Sequence, residues 1–343
     1  MKRLLNMLFV TSEDVYLALD GETVAVRREN NTIGRFPLHN LEGIVCFSYA
    51  GASPALMGAC AERGVDLSFC TPRGKFLART TGITNGNVLL RREQYRVADD
   101  LRRSCVVAKN MIFGKLYNCR WSMERTKRDH GLRINTEVFE KSCAEIRALL
   151  PQVLQAESME ALRGFEGAAA TIYFQRFDDM ILREKDLFFF RERNRRPPCD
   201  KVNAMLSFAY SLLARECASA LESVGLDSYV GFLHRDRPGR RSLALDLMEE
   251  FRPCFADRMV LTVINNRILQ AEDFEEAEGG AVHMSNEGRR KFLKSWQERK
   301  QEQITHPYLG EKMPWGLAFY MQALLLSRYL RGDLDAYPPF LWK

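Results

Sequence analysis

No part of this chain is long and apolar enough to cross a bilayer. Its most hydrophobic stretch, Leu317 to Leu330, is broken by polar residues and holds no leucine run longer than Leu324 to Leu326. The opening Met1-Lys2-Arg3-Leu4-Leu5 is basic, but Glu13, Asp14 and Asp20 follow soon and a small-residue cleavage site does not. It does not resemble a secretory signal, and a cytoplasmic location is expected. The nine cysteines, at 46, 60, 70, 105, 119, 143, 199, 217 and 254, form no C-x-x-C pair. Most lie in apolar stretches, as reduced core thiols do, which excludes a zinc ribbon and a disulfide framework. The phosphate loop G-x-x-x-x-G-K-[ST], a dinucleotide fingerprint after a strand, H-E-x-x-H and G-x-S-x-G are all missing, so nucleotide hydrolysis, nicotinamide chemistry, zincin chemistry and acyl transfer have no anchor. An excess of one charge is missing too. Lys and Arg total 50 against 44 Asp and Glu, a net +6 that supports a nucleic-acid partner only if the basic residues are clustered.

What is present is a globular composition, 46% hydrophobic and 27% charged over 343 residues, enough for two ordinary domains. Residues 5–10, 15–19, 23–27, 32–37 and 43–47 read as short strands rich in β-branched and aromatic side chains, punctuated by Asp20-Gly21 and Asn30-Asn31. Ser53, Pro54 and Gly64 bracket one helix; two more strands, 65–70 and 75–78, flank a turn at Thr71-Pro72-Arg73-Gly74. The Thr/Gly/Asn-rich segment near 80–92 reads as a linker, beyond which apolar spacing is helical. Helices are predicted at 95–127, 136–149, 158–182, 201–221, 242–250, 255–269, 286–303 and 314–331. The expectation is therefore an α+β protein: a small β-rich, β-sandwich-like domain over 1–80, a linker over 81–92 and a larger all-α domain over 93–343. Positive charge concentrates in the second part, with 41 basic and 36 acidic residues after position 80 against 9 and 8 before it.

Three places could carry chemistry. Glu166 lies in Gly164-Phe165-Glu166-Gly167-Ala168-Ala169-Ala170, where two helical glycines, each costing about 1 kcal/mol relative to Ala, suggest tight packing or ligand access. The plainer reading is a surface glutamate beside a small-residue helix contact. His234 ends an apolar run at the mouth of an Arg-rich loop, either as a metal ligand or acid/base group or as a loop histidine without a task. Asp246 lies on one helix face between Glu249, about 60° to one side, and Glu250, about 40° to the other, as a divalent-cation site or a solvated acidic edge. Basic residues cluster at Arg191, Arg193, Arg195 and Arg196, at Arg235, Arg237, Arg240 and Arg241, and from Arg289 and Arg290 to Lys300. They form a phosphate-binding track or solvated faces balanced by nearby acids. Asn203, Ser207 and Tyr210 line one helix face, either toward a ligand or in internal hydrogen bonds.

Together, Leu162-Arg163-Gly164-Phe165-Glu166-Gly167, Gly231-Phe232-Leu233-His234 and Leu245-Asp246-Leu247-Met248-Glu249-Glu250-Phe251-Arg252-Pro253 resemble, in order and separation, the CRISPR-associated integrase/endonuclease, the larger of the two universal adaptation proteins. The stretch from Pro197 to Tyr210 looks like that family's helix after its basic loop, and Tyr337 to Lys343 looks like the ending of its type I-C branch. The resemblance implies an N-terminal domain for homodimerisation and an α-helical catalytic domain. It implies Glu166, His234 and Glu249 as catalytic ligands of Mg²⁺ or Mn²⁺, with Asp246 in support. Many relatives carry Asp where this chain has Glu249. It further implies phosphoryl transfer on DNA, from foreign fragments into the CRISPR repeat, and a small ferredoxin-like CRISPR protein dimer as partner. A generic metal-dependent nuclease and a non-catalytic DNA scaffold are the competing classes.

Overall fold

A computed structural model describes residues 6–12, 14–29, 31–71, 76–80 and 88–343. Asn30, Pro72 to Gly74 of the expected second turn, and 81–87 of the expected linker lie outside the described residues. The chain divides into two compact units, residues 1–85 with 284–302, and residues 86–283 with 303–343.

In chain order the first unit contains β1 (Met7–Val10), β2 (Val15–Asp20), β3 (Thr23–Arg28), β4 (Asn31–Pro37), β5 (Gly43–Cys46), α1 (Pro54–Arg63), β6 (Asp66–Cys70) and β7 (Phe76–Arg79). Strands β2, β3 and β4 form an antiparallel sheet. Asp20 pairs with Thr23 across Gly21-Glu22, and Gly21 has φ 57°, which an L side chain rarely adopts. The other sheet runs β1-β5-β6-β7, parallel except for β7. Ser53 Oγ caps α1 by accepting the Leu56 N–H, and Gly64 ends it at φ 66°, as the sequence predicts. Both sheets and α1 bury one apolar core, including Leu17, Val24, Ile44, Leu56 and Leu67. Each such side chain contributes roughly 1.5–3 kcal/mol.

The second unit contains α2 (Val88–Asp99), α3 (Leu101–His130), α4 (Thr136–Gln155), α5 (Met159–Gln175), α6 (Lys201–Ser223), α7 (Ser242–Met248), one π-helical turn at Arg252–Asp257, and α8 (Arg258–Asn265). The short strands β8 (Phe274–Glu276), β9 (Val282–Met284), β10 (Gln303–Thr305) and β11 (Lys312–Pro314) precede α10 (Trp315–Leu330); between β9 and β10 lies α9 (Asn286–Gln301). The expected all-α region is thus interrupted by two ribbons, β8-β9 and β10-β11. Their strands are three residues long, too short to show alternation, and their turns use Gly279, Gly280 and Gly310 at positive φ. The helix α9, expected in the catalytic domain, groups with the first unit, where Phe292 and Trp296 are buried and Lys300 lies 3.8 Å from the Glu42 carboxylate. The helix expected over 95–127 is two helices, because the Asp100 carboxylate accepts the Arg102 and Arg103 N–H groups and starts α3 afresh. No helix among the described residues is long and apolar enough to span a membrane. All nine cysteines are free, eight of them buried.

The C-terminal segment is tied into the helices by Glu250. Its Oε1 accepts the Tyr337 hydroxyl at 2.7 Å, and its Oε2 accepts Phe340 N at 2.6 Å and Gln322 Nε2 at 3.2 Å. Asn118 completes the clasp, donating to the Glu250 and Phe340 carbonyls at 2.7 and 2.8 Å and accepting from Trp342 N at 3.0 Å. Burial pushes the Glu250 carboxyl up to about 8 against these three donors. The folded state therefore keeps a proton that unfolded glutamate, at 4.5, releases. Its contribution is complete below pH 4.5 and is lost as pH rises through about 8. Asp257, raised to about 6, has the same sign in a lower window. His306, lowered by burial to about 4, acts oppositely below 6.5. The window from pH 6.5 to 8 therefore isolates Glu250. Denaturant titrations at these two pH values are expected to show stability falling by on the order of 2 kcal/mol in the native protein, and Glu250→Gln should abolish most of that fall.

Candidate active site

Each proposed site residue is delivered by a different element of the helical unit. Ser158 Oγ accepts the Ala161 N–H and starts α5, which carries Glu166. A Cβ built at Gly164 or Gly167 meets nothing within 4 Å, so close helix packing does not require these glycines. With Ala168 they leave an open strip beside Glu166. Helix α3 brings Lys115 from the opposite side, and its Nζ forms a short ion pair with Glu166 Oε1. The same ammonium lies 2.7 Å from Glu249 Oε2, at the end of α7, while Arg252 Nη1 lies 3.0 Å from Glu249 Oε1. Glu249 and Lys115 are 3% and 7% exposed, so these charges interact with little water between them. Burial opposes the Glu249 carboxylate, but Arg252, Lys115 and His234 overcome it and hold the group down at about 2. Burial likewise opposes the Lys115 ammonium, and Glu249 and Glu166 raise it above its ordinary value.

His234 is placed by Asp246. The wholly buried carboxylate accepts Phe232 N and Leu233 N on Oδ2 at 2.6 and 2.9 Å, and His234 N on Oδ1 at 2.9 Å. The fourth contact, 2.6 Å between Oδ1 and His234 Nδ1, sets the proton on Nδ1 and leaves the Nε2 lone pair free. All four acceptor positions of Asp246 are thereby used. Gly231 is required by space: a Cβ there would lie 2.8 Å from Asp246 Oδ2 and from Ser242. Ser242 is the first residue of α7; its hydroxyl donates to the Arg235 carbonyl at 3.1 Å and pins the basic loop. The first N–H groups of α7 are taken up by the Ser228 carbonyl, at 3.1 and 3.3 Å from Leu243 and Ala244.

The structure therefore gathers Glu166 and Glu249 around one buried ammonium, with His234 in the neighbourhood of Glu249. Glu250, which spacing alone left open for pairing with Asp246, faces the C-terminal segment instead. Among the described residues no three His, Cys, Asp or Glu side chains are gathered as a metal cluster. The donor set nevertheless suits a hard divalent cation: two carboxylates, an imidazole oriented by a carboxylate, and a buried Glu249 Oε2 that makes no directed hydrogen bond. Of the basic candidates, Arg191, Arg195, Arg196, Arg235, Arg237 and Arg290 are exposed, Arg240 and Arg241 are half-buried against Ser242 and Tyr229, and Arg289 hydrogen-bonds Asn286. Arg193 is turned inward, donating to Asn203 Oδ1 at 2.6 Å and Ser207 Oγ at 3.1 Å; the polar stripe on α6 thus serves internal bonding. Tyr210 donates to Asp257 at 2.6 Å and carries Arg193 and Arg252 over its ring, at 5.3 and 4.7 Å from the centroid.

Comparison with known proteins decides the family. The family model described as CRISPR associated protein Cas1 matches residues 8–298. The chain belongs to the Cas1 family. It is 46% identical over 343 residues to CRISPR-associated endonuclease Cas1 1 of Chlorobaculum tepidum and 47% identical over 347 residues to CRISPR-associated endonuclease Cas1 2 of Rhodospirillum rubrum, covering 100% of both chains in each case. Two solved structures share the fold. A casposase bound to integration product has TM-score 0.83 at 23% identity, over 98% of this chain and 93% of that one. A Cas1 protein from Thermotoga maritima has TM-score 0.78 at 22% identity, over 95% and 97%.

Lys115 and Arg252 were given no role by sequence reasoning. A signal for Lys115 existed: it stands between Met111 and Cys119 in an otherwise apolar row on the buried face of α3. Two measurements check the site. Asp246→Ala should leave three backbone N–H groups unpaired and lower stability by about 3 kcal/mol or more in urea titrations. Gly164→Ala and Gly167→Ala should each raise it by up to about 1 kcal/mol, since the added methyl meets nothing.

Proposed function

We propose that this Cas1 protein inserts foreign DNA fragments as new spacers into a CRISPR array, through a divalent-metal-dependent transesterification at the Glu166, His234 and Glu249 site. The observation that carries the reading is the convergence of Glu166 and Glu249, from separate helices, on one buried cationic position beside an imidazole whose Nε2 is left free. Mg²⁺ or Mn²⁺ bound by these three side chains supplies Lewis-acid polarisation of a phosphodiester and stabilisation of the charge that develops on it. Asp246 keeps His234 in the ligating tautomer, and Arg252 keeps Glu249 ionised and fixed. The 3′-hydroxyl of the captured fragment gives up its proton and forms the new P–O bond to a repeat phosphate, whose own 3′-oxygen leaves. Water in place of that hydroxyl gives endonuclease action.

Exposed Arg191, Arg195, Arg196, Arg235 and Arg237 hold the phosphate backbone with little regard for sequence. The open strip at Gly164, Gly167 and Ala168 leaves room for that backbone beside Glu166. The β-rich domain mediates homodimerisation, and a small ferredoxin-like adaptation protein completes the cytoplasmic complex; a solved structure titled as a complex of Cas6-RT-Cas1 with Cas2 supports such a partner. The ending Tyr337 to Lys343 supports placement in the type I-C branch.

Strand-transfer assays with partner protein, defined DNA ends and a repeat substrate test the reading. Joined products should require Mg²⁺ or Mn²⁺ and vanish in Glu166→Ala, His234→Ala and Glu249→Ala proteins that still bind DNA. Hydrolysis without joining would leave only a nuclease, and unimpaired variants would leave a scaffold. Alanine at each exposed arginine should weaken DNA binding and lower the slope of log affinity against log salt by roughly one per lost phosphate contact; a flat salt response removes the basic track from the account.

A further inference from the structure

Lys115 does something to the site that none of its proposed ligands does. Its side chain enters from α3, 7% exposed, and its one ammonium contacts both carboxylates of the ligand set, Glu166 Oε1 and Glu249 Oε2. Arg252 holds the remaining Glu249 oxygen at 3.0 Å. Two carboxylates and two cations cancel, so these four side chains carry no net charge without a metal. Carboxylates this near each other, one of them buried, would otherwise repel or take up protons. A divalent ion needs the same oxygens that Lys115 holds. With the ion added, these four side chains carry two positive charges in excess, the charge of two DNA phosphates.

We propose that Lys115 is a built-in counter-ion that competes with the divalent metal for Glu166 and Glu249, so that metal binding requires displacement of the ammonium and is weak until DNA phosphate arrives to offset the excess charge. The consequence is regulatory: the protein without DNA is kept largely metal-free and inactive, and DNA and metal bind cooperatively through one coupling that each feels equally. The proposal rests on Glu166 and Glu249 being metal ligands, and its test separates the two ideas.

Mn²⁺ binding to the full-length protein, followed by calorimetry without and with a DNA duplex, is the measurement. Wild type should bind Mn²⁺ weakly alone and at least tenfold more tightly with DNA. Lys115→Met should bind Mn²⁺ alone at least tenfold more tightly than wild type and lose most of the DNA enhancement, while Lys115→Arg, which keeps the charge, should stay near wild type. The metal-free melting temperature of Lys115→Met should drop and recover with Mn²⁺. Glu166→Gln reports on the ligand assignment: if it binds Mn²⁺ as wild type does, that assignment fails and the proposal fails with it. If Glu166→Gln loses Mn²⁺ while Lys115→Met binds it no more tightly than wild type, the ligands stand and the competition is overturned. The wild type supplies a readout free of any folding defect. The Lys115 Nζ resonance in ¹⁵N-lysine protein, assigned by its loss in Lys115→Arg, should shift when Mg²⁺ is added, and an unmoved resonance at Mg²⁺ saturation overturns displacement.

Discussion

A carboxylate cannot be buried beside a second one in a protein without cations to answer it, and the helical unit is arranged around that requirement. Glu249 loses its water at the end of α7 and is held ionised by Arg252 on one oxygen and Lys115 on the other. Taking away either partner leaves an uncompensated buried charge, worth about 3–5 kcal/mol. The elements that supply these groups must therefore stay where they are. Helix α3, at 30 residues, reaches far enough to present Lys115 here, and Asn118 one turn later to the C-terminal segment. The π-helical turn at Arg252–Asp257 begins three residues after Glu249, with Arg252 facing back to that carboxylate. Because Tyr210 stacks against both Arg252 and Arg193, the geometry at Glu249 is packed continuously with the start of the basic loop.

The imidazole is positioned by different means. Asp246 also lies in the interior, but its charge is met by three backbone N–H groups and one ring nitrogen rather than by a cation. Backbone donors cannot swing away, so the turn from Gly231 to His234 and the ring orientation are specified together. This explains why Gly is needed at 231, where any side chain would enter the space of the Asp246 carboxylate. Glu166 differs from both in being partly open to solvent, on the side where Gly164 and Gly167 leave the helix surface bare. The site is thus held by directed contacts on its protein side and open beside Glu166.

How much of this was legible in the sequence follows from the range of the forces involved. The β-rich start, the caps at Ser53 and Gly64 and most of the helices rest on local periodicity and could be read directly. The break at Asp100 was a local signal too, hidden because apolar spacing continues on either side of it. The three-residue ribbons carry no periodicity, and the grouping of α9 with the first unit depends on long-range burial of Phe292 and Trp296 that one helix's pattern cannot reveal. At the site, residue types singled out Glu166, His234 and the acids from Asp246 to Glu250 only as candidates, and the resemblance to a known family is what joined them into a ligand set. The cations did not show, because a lysine reads as surface until its helix face is known to be inside. Arg193 misled for the converse reason: it stands among loop arginines in the sequence, but Asn203 and Ser207 draw it inward.

The neighbours Glu249 and Glu250 show how little of this is a property of the residue. Both are glutamates at the end of one short helix and both are almost wholly buried, yet one carboxyl is held at about 2 and the other is pushed up to about 8. About 100° separates successive residues around a helix, which is enough to turn one toward Lys115 and Arg252 and the other toward Tyr337, Gln322 and the Phe340 amide. Neutral donors satisfy hydrogen bonding without returning the Coulomb energy that burial removes, and formal cations return it. The protein can therefore use adjacent, chemically identical side chains for opposite purposes. Glu249 keeps a charge that a metal or an ammonium must answer, while Glu250 gives up its charge to hold the chain's last residues against α3 and α10.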